Sequence, residues 1–352
     1  MSVIASDRSA QTVVSVIETE HQRFLLRDDY IVGAEHRHPA ARDQMAFSAM
    51  ALMASVAFLT IAPQSVLCLG LGAGTVPNFL RSRGLKTDVI EIDEAVIRMA
   101  GQHYAFGAAS TGSGAVMHAD VLQVISAGDA GKARYDVVLS DLWSGGNEGR
   151  SLMRPFFARL KAGWLREGGV LAVNVVAFAG GPHVGLARDV VCTLRSVFAH
   201  VAVFAEYDPH GPNGDADAFE PANLLLLASD AQPPEHSVPS SYTTLEDGLP
   251  PPPNSMEDLF ARFTTWRPPA LQRASEGKEG TVLETPSDWA ARLPERQAVA
   301  HGMRAQQRAL LPAEAWNAVA RLLEDAEDKP PRRVGSVKAP PPFAAVSSKE
   351  EL

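Results

Sequence analysis

Cysteine is nearly absent: the 352 residues contain two, Cys68 and Cys192. Two thiols exclude a disulfide framework and a cysteine-based zinc site, and both lie in apolar patterns, so both read as small buried side chains. A basic block is also missing. Lysine and arginine number 32 against 41 acids, with a formal net charge of −9 and a pI near 5.6. That removes the electrostatic footprint of a nucleic-acid partner. No apolar run is long enough for a membrane span, since 45–61 is interrupted by Ser48, Ser55 and Thr60 and reads as a buried helix. The first residues show no charged-then-apolar signal, so a cytoplasmic location is expected. The last four, Lys349-Glu350-Glu351-Leu352, look like a retention tetrapeptide, an address that is not read without a signal. Asp208, His210, Asp215 and Asp217 share one polar loop, but their spacing fits no metal loop, and no metal is expected.

What is present is an alternation of strands and helices. Apolar runs predict strands at 65–69, 87–92, 115–118, 135–140, 169–176, 200–206 and 222–228. Helices fit at 75–83, 94–103, 120–127, 151–166 and 183–198. This pattern predicts an α/β fold with a doubly wound, mostly parallel sheet covered on both faces. Short antiparallel strands are expected within 12–35 and a helix within 42–58, ended by Pro63. The division read from composition is an N-terminal β region at 1–41, a main domain at 42–230, a proline-rich linker at 231–254, a helical appendage at 255–328 and a disordered tail at 329–352. In the appendage Leu259, Phe260, Phe263, Trp266, Trp289, Trp316, Val319 and Leu322 read as packing anchors.

The chemistry concentrates at strand ends. Gly70, Gly72 and Gly74 form a G-x-G-x-G turn after the strand 65–69. Such a turn lets backbone approach a ligand and opens a helix whose first N–H groups are free. Glu91 follows 21 residues after Gly70, the usual distance for an acid that grips ribose hydroxyls. Asp93, two residues on, is expected to share its direction and to contact the cofactor or cap the next helix. Asp120 stands at the end of the third strand, placed to accept from an adenine amino group. Asp141 closes the fourth strand at the floor of the cleft, placed to hold or deprotonate an amine. The glycine-rich stretch 142–149 after it suits a mobile lid, with Trp143 as a pocket wall or a packing residue. Thr75, where dinucleotide sites place a third glycine, argues against NAD.

On Val66-Leu67-Cys68-Leu69-Gly70-Leu71-Gly72-Ala73-Gly74, Glu91-Ile92-Asp93, Ala119-Asp120, the run 135–141 and the Trp-Leu-Arg-Glu-Gly-Gly-Val-Leu-Ala-Val-Asn-Val-Val stretch at 164–176, the chain resembles the spermidine-synthase-like branch of class I S-adenosylmethionine-dependent transferases. It is similar to the elongation factor 1-alpha methyltransferase type within that branch. The resemblance covers roughly residues 13–230 and implies a seven-stranded Rossmann-like sheet with a reversed final hairpin. It also implies S-adenosylmethionine, or its decarboxylated form, as cofactor. Departures from the aminopropyltransferase pattern are informative. Ala73 stands in place of the acid in the glycine loop, Ser144 in place of the second acid of the D-S-S-D motif, and Phe47, Ser48 and Ala49 in place of Tyr, Gln and Glu toward the polyamine. Each loss removes a charge-assisted hydrogen bond to an ammonium, about 1.5–3 kcal/mol apiece. The expectation is a methyltransferase using intact S-adenosylmethionine on a nitrogen of a protein or small amine, with a homodimer possible. An aminopropyltransferase of polyamine biosynthesis and a catalytically silent interaction protein are the alternatives.

Overall fold

The structure is a computed structural model that describes residues 2–9, 12–38, 45–108, 114–127, 135–142, 148–205, 220–231 and 269–327. The chain begins with a four-stranded antiparallel meander. Strands β1 (Ser2–Arg8), β2 (Val13–Glu18), β3 (Gln22–Arg27) and β4 (Tyr30–His36) lie in that order. The expected strands of 12–35 are there. Strand β1 was not expected, because Ser-Val-Ile-Ala-Ser-Asp-Arg is an edge strand with no buried residue to mark it. The Asp28-Asp29 turn forms with Asp28 at φ +53, a region short acids tolerate, and the Asp28 carboxylate accepts from the Val13 N–H at 2.9 Å.

Helix α1 (Ser48–Ala54), extended by a 3₁₀ turn at Ser55–Phe58, leads to the main sheet. It starts later than the apolar pattern suggests. Phe47 is extended and turns its ring to Phe24, 6.0 Å between centroids, so tertiary packing ends the helix there. The main sheet holds β5 (Ser65–Leu69), β6 (Lys86–Glu91), β7 (Val116–His118), β8 (Tyr135–Ser140), β9 (Leu165–Phe178), β10 (His200–Ala205) and β11 (Pro221–Ser229). Their order is β10-β11-β9-β8-β5-β6-β7, with only β11 reversed against its neighbours. Helices α2 (Thr75–Ser82), α3 (Glu94–His103), α4 (Ala105–Ala108), α5 (Val121–Ala127), α6 (Arg154–Gly163) and α7 (Gly185–Arg195) connect them. Strand β5 is buried throughout. Val66 and Cys68 belong to the core under α1–α3, while Leu67 and Leu69 belong to the core under α6 and α7. A strand covered on both faces needs the continuous apolar run the sequence has.

Among the described residues four helices follow: α8 (Pro269–Ser275), α9 (Pro286–Ala290), α10 (Leu293–Leu310) and α11 (Ala313–Glu327). Trp289 joins the core under α6 and α7, and Trp316 and Val319 pack with Ile17, Phe24 and Leu26 of the small sheet. Leu322 is half-buried, and Leu259, Phe260, Phe263 and Trp266 lie outside the described residues. Helix α10 seals the free edge of β4. The Gln307 amide donates to the Ile31 carbonyl at 3.1 Å and accepts from the Ile31 N–H at 3.0 Å, as a neighbouring strand would. Gln307→Ala strips both partners from buried backbone groups, so it should destabilise the fold by about 2–4 kcal/mol in denaturant unfolding. An unchanged midpoint would contradict this role.

Candidate functional site

The strand order reverses beside β5, which lies between β8 and β6. A crevice is required where connections leave in opposite directions. It is a cavity of about 580 Å³, lined at its floor by Gly70, Leu71, Gly72, Glu91, Asp120 and Asp141. Five of the seven expected site residues therefore meet in one cleft.

The glycine turn is built for close approach. Gly70 has φ +100, and a Cβ there would lie 2.5 Å from the Asp141 carbonyl oxygen. Gly72 has φ +55, and its Cβ would lie 2.6 Å from the Val32 carbonyl oxygen. Backbone alone fits between β4, β5 and the end of β8. Gly74 does not line the cleft; in a left-handed conformation it starts α2. Ala73 is buried, and a Cβ on Gly33 of β4 would lie 2.6 Å from its methyl. Gly33 therefore has no room for a side chain where β4 crosses Ala73.

Glu91 is 8% exposed, and both its oxygens accept from backbone: Oε2 from the Leu71 N–H and Oε1 from the Asp93 N–H, each at 2.9 Å. Each oxygen keeps a second lone pair for a ligand hydroxyl. Burial pushes its pKa up, against the pull of those two N–H groups and of Arg27. Asp93 does not line the cleft. The alternation that gave it the direction of Glu91 stops with β6 at Glu91, and the chain turns. Asp93 instead caps α3 through Ala95 N–H at 2.9 Å and accepts from the hydroxyls of Thr12 and Ser9 at 2.5 and 3.1 Å. It anchors the chain after β1 to the main domain.

Asp120 caps α5, its Oδ1 accepting from the Leu122 N–H at 2.8 Å, and lines the cleft. Asp141 is fixed by its own N–H to the Leu69 carbonyl at 2.9 Å, and its Oδ1 accepts from the Asn174 side-chain amide at 3.0 Å. Lost hydration raises the Asp141 pKa, and the Asn174 hydrogen bond opposes the rise. The same Asn174 nitrogen donates to Asn223 Oδ1 at 3.1 Å. This links Asp141 to β9 and β11.

The sequence reading missed several lining residues. Asn174 and Asn223 each carried a signal, as the lone amide in an apolar strand. The roof comes from far away in the chain: Arg27, Ile31 and Val32 of the hairpin, Phe47, Ala49, Met50 and Met53 around α1, and Met303, Gln306, Gln307 and Leu310 of α10. Arg150 and Ser151 close one side. They are placed by Gly149, which lies so near the Trp289 ring that a Cβ would come within 2.4 Å. Trp143, Ser144 and the rest of 143–147, and Asp208, His210, Asp215 and Asp217, lie outside the described residues. Among the described residues no group of three or more His, Cys, Asp and Glu is placed to hold a metal, and no helix is long and apolar enough to cross a membrane. Cys68 is buried, and burial pushes its thiol up to about 12, so it stays protonated.

No protein-family model matches the chain. An N-terminal histidine N-methyltransferase of Emericella nidulans is 28% identical over 145 residues, 41% of this chain and 25% of that protein. The chain thus spans about a quarter of the length of that curated relative. A solved structure of a probable spermidine synthase from Corynebacterium glutamicum superposes with a TM-score of 0.58 at 16% identity, covering 80% of this chain and 97% of that one. The reversed strand β11, the strand order and this superposition give the chain a Rossmann-like α/β fold similar to that of the spermidine synthase structure.

Proposed function

We propose that the chain is an S-adenosylmethionine-dependent methyltransferase acting on a nitrogen nucleophile. The observation that carries this reading is one cleft in which a glycine turn, Glu91, Asp120 and Asp141 line the floor, while the wall that would hold a polyamine is apolar. The volume suits a nucleoside cofactor. At Gly70 and Gly72 a Cβ would strike the backbone of Asp141 and Val32, so glycine at both positions lets the turn lie against β4 and the end of β8. Gly70 and Gly72 would hold the methionine part, Glu91 the ribose and Asp120 the adenine.

When bound, the cofactor supplies an electrophilic methyl group on a sulfonium. The protein's task is alignment and proton removal. Asp141, with its raised pKa, accepts a proton from the incoming nitrogen, and Asn174 holds the carboxylate in place. The Emericella nidulans relative is named for N-methylation, which supports nitrogen as the acceptor atom. The acceptor is a protein amine or a small amine.

Polyamine synthesis fits the walls poorly. Phe47, Ala49, Met50 and Met53 line the cleft, and none can hold an ammonium by charge. Incubation of the purified chain with methyl-labelled S-adenosylmethionine and a panel of free-amine peptides and small amines tests the reading. Label on an amine is the expected result. Product from decarboxylated cofactor and a diamine, with no methylated product, would replace it by aminopropyl transfer.

A further inference from the structure

Arg27 ends β3 at the hairpin tip and lines the cleft, yet its side-chain Nε has no hydrogen-bond partner among the described residues. Its side chain is 23% exposed and its Nε is buried. The nearest acid is Asp93, with Nε 3.8 Å from Oδ2, but that oxygen already accepts from Thr12 and Ser9. The neighbouring acids are also engaged. Asp28 accepts from the Val13 N–H, and Asp29 lies 3.8 Å from the Arg304 guanidinium. A guanidinium has five donors and keeps its charge. Burying such a donor without an acceptor costs free energy, so the position calls for an acceptor brought by a ligand.

The neighbourhood says which acceptor. Arg27 is close enough to Glu91 for its charge to act on that carboxyl, and both line the cleft with Ile92 and Val96. A ribose diol bound to Glu91 gives its hydroxyl protons to the carboxylate. Its oxygens keep lone pairs that no acid can satisfy. We propose that Arg27 is a further ligand-binding residue, donating from the β3–β4 hairpin to the ribose hydroxyl oxygens of a nucleoside whose hydroxyl protons go to Glu91. The proposal rests on the nucleoside-cofactor reading above. It makes the hairpin the upper jaw of a ribose clamp whose lower jaw is the end of β6.

Calorimetric titration of the full chain and of Arg27→Met with adenosine, 2′,3′-dideoxyadenosine and S-adenosylhomocysteine tests it. The expected result is a loss of about tenfold or more for adenosine and S-adenosylhomocysteine alike, from one charge-assisted hydrogen bond or two. Dideoxyadenosine should bind both proteins equally, which also shows that the variant is folded. A loss confined to S-adenosylhomocysteine would assign Arg27 to the carboxylate tail and overturn the ribose contact. Equal losses on all three ligands, or none, would overturn it too. A native chain that binds neither adenosine nor S-adenosylhomocysteine would instead remove the nucleoside reading, and the clamp with it.

Discussion

Glu91→Ala should abolish useful cofactor binding, by about a hundredfold or more in calorimetric affinity, from the loss of two hydrogen bonds to a charged group. Two effects add. The ribose hydroxyls lose their acceptor, and the Leu71 N–H in the glycine turn loses its anchor at 2.9 Å. The Asp93 N–H is stripped as well, which loosens the start of α3. Glu91→Gln keeps the shape and one acceptor oxygen, so it leaves one of the two backbone N–H groups without an acceptor and should bind with intermediate affinity. The carboxylate must be ionised to accept from both hydroxyls. Because burial raises its pKa, affinity should fall on acidification at a higher pH than an ordinary carboxylate would give. Full affinity in Glu91→Ala would sink this assignment.

The second large effect falls on rate. Asp141→Asn should lower turnover on a protonated amine by about 10²–10⁴, the span of general-base catalysis, with cofactor affinity close to that of the native chain. The asparagine oxygen can still accept from Asn174, so the floor of the cleft keeps its shape. The native rate should fall as pH drops through the Asp141 pKa, which lies above the usual carboxylate range because the group is desolvated. The variant, with no base, should gain rate only at the higher pH where the acceptor loses its own proton. A variant that turns over like the native chain at neutral pH would show that Asp141 only shapes the cleft.

Much of this architecture was legible because buried parallel strands write themselves as apolar runs. The strands at 65–69 and 135–140 fall where the pattern put them. Their ends carry the chemistry, so Gly70, Gly72, Glu91, Asp120 and Asp141 were readable as a group. Less legible was whatever depends on packing across distant segments. Met303, Gln306, Gln307 and Leu310 have the spacing of one helix face, but no spacing says what that face covers. Asn174 and Asn223 become neighbours only when β11 pairs antiparallel with β9. Asp93 shows the limit of a local rule, since period-two alternation holds only while the strand continues. Arg27 sits in a half-polar hairpin where a charged residue reads as ordinary surface, and only the burial of its Nε sets it apart.

The measurement that bears most directly on the account is calorimetric titration of the purified chain with S-adenosylmethionine and, separately, with its decarboxylated form. The account predicts tighter binding of the intact cofactor, because the cleft has no acid at position 73 and presents Phe47 and Ala49 where a polyamine site needs polar partners. Tighter binding of the decarboxylated form would contradict it and make aminopropyl transfer the activity to assay. Binding of neither, by a chain that is demonstrably folded, would contradict it as well and leave a transferase fold used for interaction alone.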